Sequence, residues 1–176
     1  MVKNKRILII LIVAIGVLPL IFKSNSFHNI LVLLLIFATL GEAWNIITGF
    51  AGQTSFGHAA FFGIGAYASS VLFYRFNISP WIGMFVGAAF AALVAFIISY
   101  PCFRLKDSYF AIATLAVAEI IKQLFVSWDF VEGATGLSLP IVDDSLVFMQ
   151  FSSSKLPYIY IALLLFAVVI FLCSYV

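Results

Sequence analysis

From residue 81 to residue 100 the chain runs 20 residues without one charged side chain, and residues 158–176 are a second such run. At 1.5 Å rise per residue, a helix of that length reaches about 30 Å, the thickness of a bilayer's hydrocarbon core. Inside lipid every backbone N–H and C=O must be bonded within the protein, so only helices and closed barrels span it. These runs are continuously apolar rather than alternating, which selects helices. The whole chain follows suit, with 65% apolar and 9% charged residues. Soluble domains hold about 45–50% and about 25% respectively. The fold class is therefore all-α, a polytopic transmembrane helix bundle. The 176 residues suffice for about six spans and leave no room for a soluble domain, so residues 1–176 read as one transmembrane domain.

Six apolar stretches are expected as spans: residues 7–22, 29–50, 56–74, 81–100, 108–128 and 158–176. The first follows Lys3, Lys5 and Arg6 and is interrupted by Gly16 and Pro19. Its pattern also suits a signal peptide, with Ser24 and Ser26 at a cleavage site; the run is slightly long for that, and a retained first span is favoured. Pro101 is expected to stop the fourth span. Residues 129–156 form the one long loop, acidic through Asp129, Glu132, Asp143 and Asp144. With the N-terminus in the cytoplasm, the inner segments carry Lys3, Lys5, Arg6, Arg104 and Lys106, against Lys23, Arg75 and Lys155 outside. That bias sets the expected orientation and places the long loop outside.

One stretch departs from plain apolar helix. Residues 42–72 combine bilayer-compatible apolarity with Glu42, Asn45, Thr48, Gln53, Thr54, Ser55 and His58, and with Gly49, Gly52, Gly57, Gly63 and Gly65. Gly-rich backbone at membrane depth has to be buried in protein or line a wet cavity. Polar residues gathered at a break between two apolar helices point to a transport path. Residues 51–55 are expected as the break. Ser55 or Thr54 suits the N-cap of the next helix. The alternative is that this helix N-terminus offers its N–H groups and positive dipole end to an anionic substrate group. His58 reads as a hydrogen-bonded structural histidine ahead of a proton carrier. Glu42 has only Asn45 at i+3 within its own helix, and a partner from the 53–58 segment is expected.

Two further features concern packing. Gly83, Gly87, Ala91 and Ala95 recur every four residues and make a small-residue stripe. Such a stripe lets a second backbone approach, although Gly and Ala are also simply common in membrane helices. Glu119 and Lys122 lie inside the fifth span at i and i+3, a spacing that permits mutual neutralisation. Charges at that depth face the bundle or pair up, so the two read either as a structural ion pair or as part of gating and the path.

No catalytic pattern is present: no G-x-S-x-G, no H-E-x-x-H and no P-loop. Cys102 and Cys173 lie far apart and no metal spacing occurs, so no metal site and no disulfide is inferred. Net charge is +2 with scattered basic residues, which argues against nucleic-acid binding. Lipid is the surrounding phase.

The segment WNIITGFAGQTSFGHAAFFGIGAY (44–67) resembles the Gly-rich signature of the bacterial ABC permeases for branched-chain amino acids. The segment RLKDSYFAIATLAVAEIIKQL (104–124) looks like a second block of that family, typical of the LivM-type subunit rather than its LivH-type partner. The resemblance covers essentially all of the chain from the second span onward. It points to Gly49, Gly52, Gln53, Ser55, Gly57 and His58 as the Gly-rich element, and to Arg104, Tyr109, Thr114 and Glu119 in the second block. It implies a bacterial cytoplasmic-membrane importer. Two permease subunits would pair, two cytoplasmic ATPase subunits would use ATP, and an extracytoplasmic binding protein would deliver leucine, isoleucine or valine. This chain would hold no cofactor and would not itself be an enzyme. Path candidates are Glu42, Asn45, Gln53, Thr54, Ser55, Gly57, His58, Thr114 and Glu119. Two departures stand out. Where the family carries T-G-G-x-x-G-L, this chain reads Val131, Glu132, Gly133, Ala134, Thr135, Gly136, Leu137. Family members also continue with an ATPase-docking loop, so an N-terminal portion is expected. A urea or short-chain amide permease and a non-transporting fragment are the alternatives.

Overall fold

The computed structural model describes residues 5–22, 24–50, 52–140, 145–151 and 154–175. Lys3, Lys23, Ala51, Asp143 and Asp144, which enter the orientation, break and loop readings above, lie outside them. Six α-helices follow in order: α1 (Lys5–Ile21), α2 (Asn25–Asn45), α3 (His58–Phe76), α4 (Pro80–Cys102), α5 (Asp107–Ser127) and α6 (Leu156–Tyr175). Among the described residues, four segments are long and apolar enough to cross a membrane: Asn25–Gly49, Pro80–Cys102, Ser108–Ser127 and Leu156–Tyr175. Against the six expected spans, α1 is short at 17 residues. The 19-residue α3 is diluted by His58, two serines, two glycines and Arg75.

The chain forms two compact units. The first comprises Met1–Ala51 and Phe151–Val176 and holds α1, α2 and α6. Its core sets Leu31 and Leu35, one turn apart on α2, against Ile159, Ala162 and Phe166 on α6. Leu35 and Ile159 are fully buried, at 0% exposure. The spacing of the α6 residues, i, i+3 and i+7, makes one stripe on an otherwise wholly apolar helix. The α1 helix lies against α6 where Gly16 has Leu163 Cδ2 3.9 Å from where its Cβ would be. Pro19 falls in the last turn of α1, where carbonyls have no partner within the helix. Buried His28 on α2 meets one of them, with Nε2 3.2 Å from the Pro19 oxygen.

The second unit is Gly52–Gln150 and holds α3, α4 and α5. The α3–α4 connection is tight because Asn77 takes the left-handed conformation at φ 53°. Asparagine tolerates that region better than most residues. Its N–H donates to the Phe73 oxygen at 3.0 Å. Ser79 then caps α4 by accepting from the Trp81 N–H, with Pro80 in the first turn. The two helices run antiparallel along the small-residue stripe. A Cβ on Gly87 would lie 2.5 Å from the Gly65 oxygen, and one on Gly83 would lie 2.6 Å from Ser69 Oγ. Ala91 follows, its Cβ 3.9 Å from where a Gly65 Cβ would be. Ala95 lies one turn beyond. The backbones are thus in van der Waals contact, the interaction that holds helices together where lipid is as apolar as the side chains.

Pro101 does not stop α4, which closes one residue later at Cys102. In the last turn a missing N–H forfeits a single bond, which the end of a helix tolerates better than its middle. The loop after α5 is not featureless. Short 3₁₀ turns at Asp129–Val131 and Gly133–Thr135 fold Val131 into the unit, and Trp81 Nε1 donates to the Leu146 oxygen at 2.8 Å. Large side chains such as Phe85 and Phe96 stand 77% exposed, as a lipid-facing surface allows.

Candidate functional site

The break begins inside α2. After Asn45 the helix widens into a π-helical turn, Ile46–Phe50. Such turns are rare and concentrate at functional sites, because they re-aim side chains within a continuing helix. Gly49 has no Cβ here. One would lie 2.7 Å from Asn45 Oδ1, so glycine lets the Asn45 amide lie back along the helix. Thr48 Oγ1 is buried without a hydrogen bond among the described residues. Glu42 is half-buried and forms no ion pair among them. Glu42, Asn45 and Thr48 belong to the first unit, and the candidates from Gln53 onward belong to the second.

In the second unit residues 52–57 are non-helical. Gly52 opens the segment at φ +67° with open space around it. Its requirement is therefore conformational rather than steric. Gln53 Oε1 is buried and accepts no hydrogen bond among the described residues. Ser55 is buried, and its Oγ accepts from the Gly57 N–H at 3.3 Å.

The N-cap of α3 is Gly57, not Ser55 or Thr54 as expected. Ser55 spends its hydroxyl inside the turn, two residues too early to cap the helix. With glycine as N-cap, the capping position itself supplies no side chain, and the Ala60 N–H donates to the Gly57 oxygen at 3.1 Å. The start of a helix carries partial positive charge.

Thr114 on α5 holds this segment. Its Oγ1 accepts from the Phe56 N–H at 3.1 Å and donates to the Ala111 oxygen at 2.9 Å. Both roles of one hydroxyl are filled in a buried setting. Gly57 seats directly on it, since a Cβ there would lie 3.4 Å from the Thr114 oxygen and 3.6 Å from its Cβ. Phe56, Gly57 and Thr114 therefore form one contact, with Ser55 beside it. His58 follows as the first residue of α3.

Glu119 is not brought to this site. Five residues beyond Thr114 on α5, it lies about 140° around the helix. It pairs with Lys122 at 3.0 Å, and the two side chains are 65% and 66% exposed. They pair on a face that is exposed within their unit. The apolar pattern of α5 could not show this, because the helix is only weakly one-sided. Arg104 lies at the other end of α5, where its guanidinium meets the Tyr100 hydroxyl at 3.1 Å. Tyr109 is exposed.

Fold and break together define a multi-pass, all-α membrane protein with an interrupted helix. The family model described as "Branched-chain amino acid transport system / permease component" matches residues 26–175, and the chain belongs to that family. It is 29% identical over 138 residues to the high-affinity branched-chain amino acid transport system permease protein LivM of Escherichia coli (strain K12), covering 78% of this chain and 32% of that protein. Against the LivM protein of Salmonella typhimurium (strain LT2) it is 29% identical over 154 residues, covering 87% and 36%. The chain spans about a third of the length of these curated relatives. No solved structure matches it.

Proposed function

We propose that this chain is a permease subunit of an ATP-driven importer for branched-chain amino acids and contributes part of the translocation path. The observation that carries the reading is the family match over residues 26–175. The glycine-opened start of α3 supports it physically. An amino acid brings a carboxylate, and a helix N-terminus beside a break suits an anionic group at membrane depth. The apolar walls suit an aliphatic side chain. The chain binds no nucleotide itself. ATP is used by two cytoplasmic partner subunits, a second LivH-type permease subunit completes the path, and an extracytoplasmic binding protein delivers substrate. The protein sits in the bacterial cytoplasmic membrane with its N-terminus inside.

The test is uptake of labelled leucine in the protein's own host, with and without the gene. Loss of uptake on deletion, and competition by isoleucine and valine but not by urea, is the expected result. Competition by urea instead of valine would overturn the substrate class. Unchanged uptake on deletion would overturn the transport role.

A further inference from the structure

The second unit holds a cleft. It has a volume of about 520 Å³ and is lined by Ile64 of α3, Phe90 and Val94 of α4, and Ile121, Leu124 and Trp128 at the outer half of α5. That volume falls within the range of small-ligand sites, roughly 300–1,000 Å³. The wall is almost wholly apolar. The cleft also has a direction. Ile64, Phe90 and Val94 are mid-helix residues, whereas Trp128 stands just past the end of α5. The cleft thus runs from mid-helix residues of α3 and α4 to the end of α5.

At the end of α5 the structure supplies a positive charge. The Trp128 ring lies 5.8 Å from that of Phe130, and the Arg75 guanidinium carbon lies 5.0 Å over the Phe130 ring. Arg75 Nη2 donates to the Phe130 oxygen at 3.2 Å. Arg75 is exposed and forms no ion pair among the described residues, although Asp129 and Glu132 flank Phe130 in sequence. The guanidinium is held by one carbonyl acceptor and by the Phe130 and Tyr74 ring faces, and its remaining N–H groups form a fork suited to a phosphate.

We infer that the cleft holds one acyl chain of an anionic phospholipid, with the lipid phosphate on Arg75. An apolar slot that ends at Trp128, with the Arg75 guanidinium next along the Trp128–Phe130 ring contact, matches both ends of such a molecule. Charge selects the anionic lipid and shape selects the chain. Such a site does not depend on which substrate is carried.

The full chain is purified in detergent and mixed with equal amounts of palmitoyl-oleoyl phosphatidylglycerol and palmitoyl-oleoyl phosphatidylcholine. Native mass spectrometry then counts the lipid retained. Phosphatidylglycerol is expected to be retained about fivefold over phosphatidylcholine, the factor one interfacial arginine supplies. Arg75→Ala brings the ratio to parity, and Arg75→Lys keeps part of it. Val94→Trp fills the cleft and lowers retention of both lipids while leaving their ratio unchanged. Parity in the wild-type protein, or an unchanged ratio in Arg75→Ala, would overturn the proposal. So would a photo-crosslinker at position 94 that captures a protein helix instead of lipid.

Discussion

The Thr114 hydroxyl accepts a hydrogen bond from the Phe56 N–H, 3.1 Å away and 58 residues earlier in the chain. Through this bond α5 holds the interrupted stretch ahead of α3. Thr114→Val keeps the shape and removes the acceptor, leaving a part-buried N–H without a partner. The expected cost is about 1–3 kcal/mol. Thr114→Ser retains the hydroxyl and is expected to lose much less. Thermal unfolding in detergent distinguishes them, and equal losses would place the role of Thr114 in its methyl group instead.

The α3–α4 seam gives an asymmetric prediction. Gly87→Ala sets a methyl 2.5 Å from the Gly65 oxygen and 3.3 Å from its carbonyl carbon, both backbone atoms that cannot swing aside. The helices must separate, at about 1–3 kcal/mol. Gly65→Ala meets the Gly87 oxygen at 3.6 Å, an ordinary contact. It also gains helix propensity of up to about 1 kcal/mol. Thermal midpoints should therefore fall for Gly87→Ala and hold for Gly65→Ala. Equal shifts would contradict the close approach.

Much of this architecture was legible in the sequence because lipid removes choices. A charge-free run such as 81–100 has one outcome, and α4 covers it. The break was legible from Gly52 and Gly57 among polar residues. What pairs across space was not. The four-residue repeat at Gly83 and Gly87 announced a seam but not that Ser69 and Gly65 lie opposite. Thr114 showed as a polar spot, yet nothing in its neighbourhood names Phe56. The π-helical turn at Ile46–Phe50 has no local sequence signal apart from Gly49. Ser55 looked like a cap because cap residues and turn residues are the same residues, and the turn claimed it.

The ion pair on α5 predicts compensation. Lys122→Met alone leaves the Glu119 carboxylate uncompensated on an exposed face within a membrane-spanning segment. An isolated charge there costs about 2.5–3.5 kcal/mol on insertion scales. The double variant Glu119→Gln, Lys122→Met removes both charges. Its membrane level is expected to match wild type, with the single variant lower. Quantitative blotting of membrane fractions checks this, and a double variant lower than the single one would contradict simple neutralisation.

Glu132 adopts φ 61°, left-handed backbone, at the position where the family pattern carries glycine. A side chain there costs roughly 1 kcal/mol. Glycine relieves that cost but adds freedom to the unfolded chain. Glu132→Gly is expected to stabilise by about 0.5 kcal/mol, read from the thermal midpoint. A clear destabilisation would mean that the carboxylate makes a contact worth more than the strain.

The most direct test of the central claim is leucine uptake by the assembled transporter carrying Gly57→Val, with Gly63→Ala as control. Valine at 57 crowds the Thr114 carbonyl and displaces the start of α3, whereas a methyl at 63 meets nothing within 4 Å. If the start of α3 forms part of the path, Gly57→Val loses uptake several-fold at an unchanged membrane level, and Gly63→Ala transports normally. Wild-type uptake kinetics in Gly57→Val would contradict the account.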